Sequence, residues 1–332
     1  MQLSDGFFHD LAQVTTLARI NSYVAQRGHE QSVPEAIALS AGIYWTEDRT
    51  RRAKKNILSS RQGLVKKLAT VVRGRRRWAG TIRGMIRDHR RFLAGKAVLI
   101  TGGARRLGRA SALALAGAGA DVAITFLDSA REAERTVRNL RLLGVRAIAL
   151  RCDVTEEKSV RTAVRQTARE LGGIDILVNN AANYETVAFD KLTLRQWDAM
   201  FASNTRGPFL VARQALGSLR ERRGKIINLG SLGGLRPWAT HAHYCSSKAA
   251  VHMLTKVMAI ALAPEIAVNC VAPGMIDLGE KAAASFMKAM AKQTPMRRNG
   301  AAEDITAAIL FFATAPHFIT GQVLVVDGGL GL

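Results

Sequence analysis

The sequence predicts an α/β protein built on a doubly wound parallel sheet of seven strands, preceded by a basic extension. Three observations carry this. From Lys96 onward, short β-rich runs alternate with helical stretches. Those runs are continuously apolar rather than alternating, as strands covered on both faces must be. A glycine-rich turn follows the first of them, where such sheets bind ligands. With 332 residues the chain has room for one large domain and an extension.

Residues 1–95 form the extension. Between Arg49 and Arg91 stand sixteen Lys or Arg and one acid, Asp88. Apolar residues recur every seventh position at Ile57, Leu64, Val71, Trp78, Met85 and Phe92, and again at Leu58, Val65, Val72, Ala79, Ile86 and Leu93. This is the pattern of a long amphipathic helix. Gly63, Gly74, Gly80 and Gly84 interrupt it at a cost of about 1 kcal/mol each relative to Ala, so a broken or conditional helix is expected. Upstream, Ser32-Val33-Pro34-Glu35 has capping-box spacing with a proline in the first turn, and opens a shorter helix through Ala41. Three readings stay open: weak binding of residues 49–91 to an anionic surface, membrane or nucleic acid; a solvated helix or disordered arm; or a start at Met85 that leaves the arm unmade.

The domain proper is expected at 96–332, with strands at 97–101, 121–126, 145–150, 174–178, 225–229, 266–271 and 323–326. Its composition narrows the class. The net charge of +22 and a mean hydropathy of +0.03 exclude an acidic disordered chain and a multispanning membrane protein. Cys152, Cys245 and Cys270 lie far apart without a CxxC pair, which excludes a disulfide scaffold and a cysteine-based zinc module and fits a reducing, cytoplasmic setting. No run of eighteen apolar residues occurs, and Asp5 and Asp10 precede the first base, Arg19, so no secretory signal is expected.

The chemistry begins at Thr101-Gly102-Gly103-Ala104-Arg105-Arg106-Leu107-Gly108, which runs from the first strand into a helix starting near Leu107. Gly102 permits a sharp turn, Gly108 lets helix and strand approach, and the helix N-terminus offers amide donors and partial positive charge to a pyrophosphate. By itself such a loop fits either a nucleotide-phosphate site or a tight strand-to-helix turn without ligand. Farther on, Tyr244 and Lys248 stand four apart on a predicted helix and share a face.

Taken together the motifs resemble the short-chain dehydrogenase/reductase family over residues 96–332. The glycine turn looks like its TGxxxGxG loop, Asn179-Asn180-Ala181-Ala182 like its NNAG, and Tyr244-Cys245-Ser246-Ser247-Lys248 is its YxxxK. Ser231 stands thirteen residues before Tyr244, Asn204 falls where the family has its helix asparagine, and Pro273-Gly274 follows the sixth strand. The resemblance implies an NAD(P)-dependent oxidoreductase that moves a hydride between nicotinamide and a carbonyl or secondary alcohol. It makes Tyr244 the general acid, with Lys248 lowering its pKa from about 10 and binding the ribose, Ser231 hydrogen-bonding the substrate oxygen, and Asn204 ordering a proton-relay water. It gives the cofactor Gly102, Arg105, Arg106, Leu107 and Gly108, then Asp153 and Val154 beside the adenine, Asn180, Ala181 and Ala182, and Pro273 and Gly274. Tyr184 and Trp238, with Leu235, lie on loops that would shape the substrate pocket.

Three departures stand out. Arg106 replaces the loop's middle glycine, as in the pteridine reductases of the family; Ala182 ends the NNAG; and Leu278 replaces a threonine often found after the PG. Phe126 stands at the end of the second strand where an acid would favour NAD. With Arg105 and Arg106 to meet a 2′-phosphate, NADP(H) is favoured, while Asp128 keeps NAD(H) open. Ser231 stands where the pteridine reductases generally carry Asp, so a carbonyl substrate is the first reading and a pterin the alternative; the overall resemblance is to 3-oxoacyl-carrier-protein reductases. A third reading is a cofactor-binding scaffold or regulator acting through the basic arm. No metal is expected, since His241 and His243 have no carboxylate nearby in sequence. The last strand resembles one that packs across a subunit interface in the family, which implies a homodimer or homotetramer.

Overall fold

The first strand, β1 (Ala97–Ile100), is buried at every position. Its residues point alternately to the two faces: Val98 and Ile100 to one, Ala97 and Leu99 to the other. The computed structural model describes residues 91–279 and 284–332, all within the unit Arg83–Leu332. The capping box at Ser32, the helix through Ala41 and the heptad pattern up to residue 90 therefore lie outside the described residues. The last heptad pair does not continue a helix. Residues 92–95 form a turn, with Leu93 buried in the core and its N–H donating to Ala118 O at 2.9 Å.

Beyond β1 the chain runs through α1 (Arg106–Gly117), β2 (Asp121–Phe126), α2 (Ala130–Leu142), β3 (Ala147–Arg151), α3 (Glu157–Leu171) and β4 (Ile176–Asn179). It continues through α4 (Leu194–Phe201), a π-helical turn (Ala202–Arg206), α5 (Gly207–Glu221), β5 (Lys225–Leu229), α6 (Ala242–Ala261), β6 (Ala267–Pro273), α7 (Ala284–Gln293), α8 (Ala302–Thr314) and β7 (Val323–Val326). The strands form one parallel sheet in the order β3-β2-β1-β4-β5-β6-β7. The order reverses between β1 and β4, and ligands bind outside the strand ends at such a switch point. One core cluster packs α1, α2 and α8 on one face of the sheet, and a second packs α3, α5 and α6 on the other.

The doubly wound seven-stranded sheet matches the sequence reading, with strand ends displaced where apolarity and pairing part company. Ile174 is fully buried yet lies before β4, which begins at Ile176. β3 begins two residues later than expected, because Arg146 pairs with Asp121 instead. β6 runs on to Pro273: past Val271 it pairs only with β7, so a proline without an N–H costs no ladder bond on the other side. Among the described residues no helix is long and apolar enough to cross a membrane.

Candidate active site

The glycine turn is closed by backbone proximity. Gly102 sits at φ +65°, and a Cβ on Gly108 would stand 2.6 Å from Asn180 Nδ2 and closer still to the Gly102 carbonyl oxygen. Only glycine lets α1 start this near β1. Arg105 is extended, and Arg106 takes φ +53°, a left-handed conformation that explains why glycine is usual there. No side chain caps the first turn of α1 and no acid stands in it, so its positive end is open to an anion. Leu107 packs against the first core cluster.

Asn180 holds this turn to β4. Its Nδ2 donates to Thr101 O at 2.9 Å and Gly102 O at 3.1 Å, while its own N–H and that of Ala181 donate to Thr101 Oγ1 at 3.0 Å each. Ala182 is exposed beyond them. Asp153 accepts the N–H and hydroxyl of Thr155 through one oxygen, at 2.9 and 2.7 Å, and Val154 is buried against Gly207. At the end of β2 the Phe126 ring packs on the core, and Arg151 pairs with it in register. Arg151 is a cation that sequence reasoning missed, because only strand pairing places it there. Pro273 closes β6, and Gly274 lies against Asp327.

The other side of the switch point is built from buried polar groups. Asn179 Nδ2 donates to Asn228 Oδ1, and Asn228 Nδ2 donates to Thr255 Oγ1, both at 2.9 Å, tying β4 to β5 and α6. Ser231 follows β5 and is 5% exposed, with its Oγ accepting the Gly233 N–H at 3.1 Å. Tyr244 and Lys248 lie one turn apart on α6, and the Lys248 ammonium is buried, donating to Leu229 O at 2.8 Å and lying 5.9 Å from the Tyr244 ring centre.

Burial pushes the Tyr244 phenol up to about 12, with the Ser231 hydroxyl pulling it part of the way back and Tyr184 and Cys245 adding to the rise. Burial brings Lys248 down to about 8. The Lys248 ammonium gives one donor to Leu229 O and lies over the Tyr244 ring.

Asn204 lies in the π-helical turn and is 1% exposed. Its Oδ1 accepts Asn183 N–H at 2.7 Å, and its Nδ2 donates to Asn183 O at 3.0 Å and Ser247 Oγ at 3.1 Å, leaving one oxygen lone pair. Ser247 Oγ in turn donates to Tyr244 O at 2.7 Å. The wide turn has a local cause: Pro208 lacks an N–H and its ring would collide with the carbonyl four residues back, that of Asn204. Gly207-Pro208 was the signal available for it.

Around Tyr244 stand three rings. Tyr184 meets it edge-on at 5.0 Å, Trp238 lies nearly parallel at 6.3 Å, and His241 Nε2 is hydrogen-bonded to the Tyr184 hydroxyl at 2.7 Å. Burial, and then His243, hold His241 below its ordinary pKa. His243 is fully buried with Nε2 3.6 Å from Glu185 Oε2, which overturns the expectation of no carboxylate nearby. Glu185 arrives from the loop after β4, a proximity that local spacing does not show.

Comparison with known proteins agrees with this geometry. The family model described as Enoyl-(Acyl carrier protein) reductase matches residues 102–331. The 3-oxoacyl-[acyl-carrier-protein] reductase FabG of Staphylococcus epidermidis is 34% identical over 240 residues, covering 71% of this chain and 98% of that one. The chain belongs to the short-chain dehydrogenase/reductase family. Among solved structures, a short-chain dehydrogenase/reductase of Serratia marcescens superposes with a TM-score of 0.69 at 34% identity, over 72% of this chain and 99% of that one. One from Mycobacterium marinum gives 0.68 at 36%, over 72% and 96%. The enzyme is therefore an NAD(P)-dependent oxidoreductase. Its residues fit the dinucleotide: the cradle between Gly102, Gly108 and Asn180 has no room for a Cβ, and the uncapped α1 terminus faces that cradle.

Proposed function

We propose that this short-chain dehydrogenase/reductase reduces a carbonyl to a secondary alcohol with NADPH. The observation that carries the reading is the arrangement of Tyr244 beside the Ser231 hydroxyl and one helical turn from a buried lysine. Bound at the switch point, the nicotinamide supplies the hydride. Tyr244 donates its hydroxyl proton to the substrate oxygen as charge develops there. Ser231 Oγ accepts from Gly233 and still has its own proton to donate to the same oxygen. Lys248 keeps two ammonium donors beyond the one on Leu229 O, enough for the ribose hydroxyls. The remaining lone pair of Asn204 Oδ1 holds the water that returns a proton toward Tyr244.

The dinucleotide is held by Gly102, Leu107 and Gly108 at the pyrophosphate, by Asp153 and Val154 at the adenine, by Ala181, Ala182, Pro273 and Gly274 nearer the nicotinamide, and by Asn180 through the turn it fixes. Arg151, paired in register with Phe126, and Arg105 and Arg106 on the glycine turn supply cations for a 2′-phosphate, which favours NADP(H) over NAD(H). Tyr184, Trp238 and His241 frame an aromatic substrate mouth. Exposed Phe209, Met253, Val257 and Ile260 on α5 and α6, with Leu324 and Val325 on β7, are the apolar surface through which a homodimer or homotetramer would form. The division into an extension, 1–95, and a catalytic domain, 96–332, belongs to the same reading.

The test is a screen of the purified full chain with NADPH and NADH against ketones, 3-oxoacyl thioesters, quinones and pterins. NADPH-dependent reduction of a ketone or thioester is expected. Turnover of pterins alone would overturn the carbonyl reading.

A further inference from the structure

Three residues of α6 reach the site from one side: Tyr244, Lys248 and, one turn farther on, His252. The last has no part in the chemistry above, yet it is 5% exposed and lies directly beneath the serine loop. Its Nε2 accepts the backbone N–H of Ser231 at 3.4 Å. The loop is shaped around this ring. A Cβ on Gly230 would overlap His252 Nε2 and stand 2.7 Å from both its Cδ2 and Cys270 Sγ, and a Cβ on Gly234 would stand 2.7 Å from His252 Cε1. Two glycines thus leave a slot for the imidazole immediately before and three residues after Ser231.

We propose that His252 is a positioning residue that fixes Ser231 relative to Tyr244, by accepting the serine's backbone N–H from the same helix that carries the tyrosine. Lys248 holds the adjoining carbonyl of Leu229, so two side chains of α6 grip the β5 corner at residues 229 and 231. The serine's extended backbone and the Gly233 N–H on its Oγ then determine where the hydroxyl points. The acceptor role requires a bare Nε2. Burial, with Lys248 and Lys256 of the same helix, keeps the ring neutral by bringing it down to about 4, and Cys270 on β6, pushed up to about 11 by burial, adds no charge to the slot.

This inference rests on the catalytic reading of Ser231, and a double-mutant cycle separates the two. In NADPH-dependent reduction of ethyl acetoacetate by the full chain, His252→Leu is expected to lower kcat about tenfold with the NADPH dissociation constant unchanged, the size of one lost hydrogen bond. In a Ser231→Ala background the same change is expected to alter kcat by less than about twofold. His252→Gln places an acceptor at the Nε2 position and should restore most of the activity, whereas His252→Asn is too short and should behave like Leu. The Gln and Asn pair decides the matter even if the leucine variant fails to fold. An equal loss in both backgrounds, or Gln no better than Asn, would overturn the inference. A fully active Ser231→Ala would overturn the catalytic reading and this inference with it.

Discussion

The two sides of the sheet's switch point are made differently. On the β1–β3 side the nucleotide cradle is shaped by what is missing: no Cβ at Gly102 or Gly108, no cap on α1, and apolar strands behind. On the β4–β6 side the reaction site is held by buried polar groups that bond to one another, from Asn179 through Asn228 to Thr255 and from Lys248 to Leu229. A dinucleotide carries its own charge and needs room and amide donors, whereas proton transfer needs side chains fixed in direction. One half therefore tolerates nothing added, and the other tolerates nothing removed.

The sharpest way to break this contrast is addition on the first side. Gly108→Ala should weaken cofactor binding by more than about a hundredfold and cost about 1–3 kcal/mol of stability, the range for overpacking, because the new methyl meets the Gly102 carbonyl and Asn180 Nδ2. Calorimetric titration with NADPH and denaturant unfolding read both. Wild-type affinity in that variant would show that the turn can give.

Removal on the second side should stop the chemistry. Lys248→Met is expected to lower kcat/KM about 10²- to 10³-fold, as for loss of an electrostatic stabiliser. The pH profile sharpens this. With Lys248 brought down to about 8, the ammonium is present below that pH and lost above it. In the wild-type enzyme, kcat/KM for reduction should therefore fall as pH rises through about 8, and the variant should lack that limb.

A purely structural removal comes next. Asn228→Leu strips the partners of Asn179 Nδ2 and Thr255 and should cost about 1–3 kcal/mol in urea unfolding, the penalty for unsatisfied buried groups, while the NADPH dissociation constant stays put. The smallest effect is expected at Arg106. Arg106→Gly relieves a left-handed backbone and should raise stability by up to about 1 kcal/mol. The same variant should weaken NADPH, but not NADH, by about 1 kcal/mol or more through loss of a charge-assisted contact. Equal loss for both cofactors would place Arg106 on the shared pyrophosphate.

The same contrast explains what the sequence shows of itself. Runs such as 97–101 and 225–229 are legible as strands because burial on both faces leaves a local, continuous apolar record. The glycine turn is legible because steric exclusion at Gly102 and Gly108 allows one residue type. The order and spacing of Ser231, Tyr244 and Lys248 are legible as a family pattern, but their electrostatics are not: the raised Tyr244 phenol follows from burial in the folded chain. Asn204 is visible as a residue, while its ties to Asn183 and Ser247 join positions 21 and 43 apart and leave no periodic trace. Glu185 against His243, and Arg151 beside Phe126, are likewise products of tertiary pairing.

The most direct measurement is single-turnover NADPH oxidation by Tyr244→Phe beside an independent titration of NADPH binding. Phenylalanine keeps the ring contacts with Tyr184 and Trp238 and removes only the hydroxyl. With Tyr244 as the proton donor, the rate of carbonyl reduction should drop about 10²- to 10⁴-fold, the usual worth of a positioned general acid, while the NADPH dissociation constant changes by less than about threefold. Reduction at the wild-type rate by this variant would contradict that role and return the proton to another group in the site.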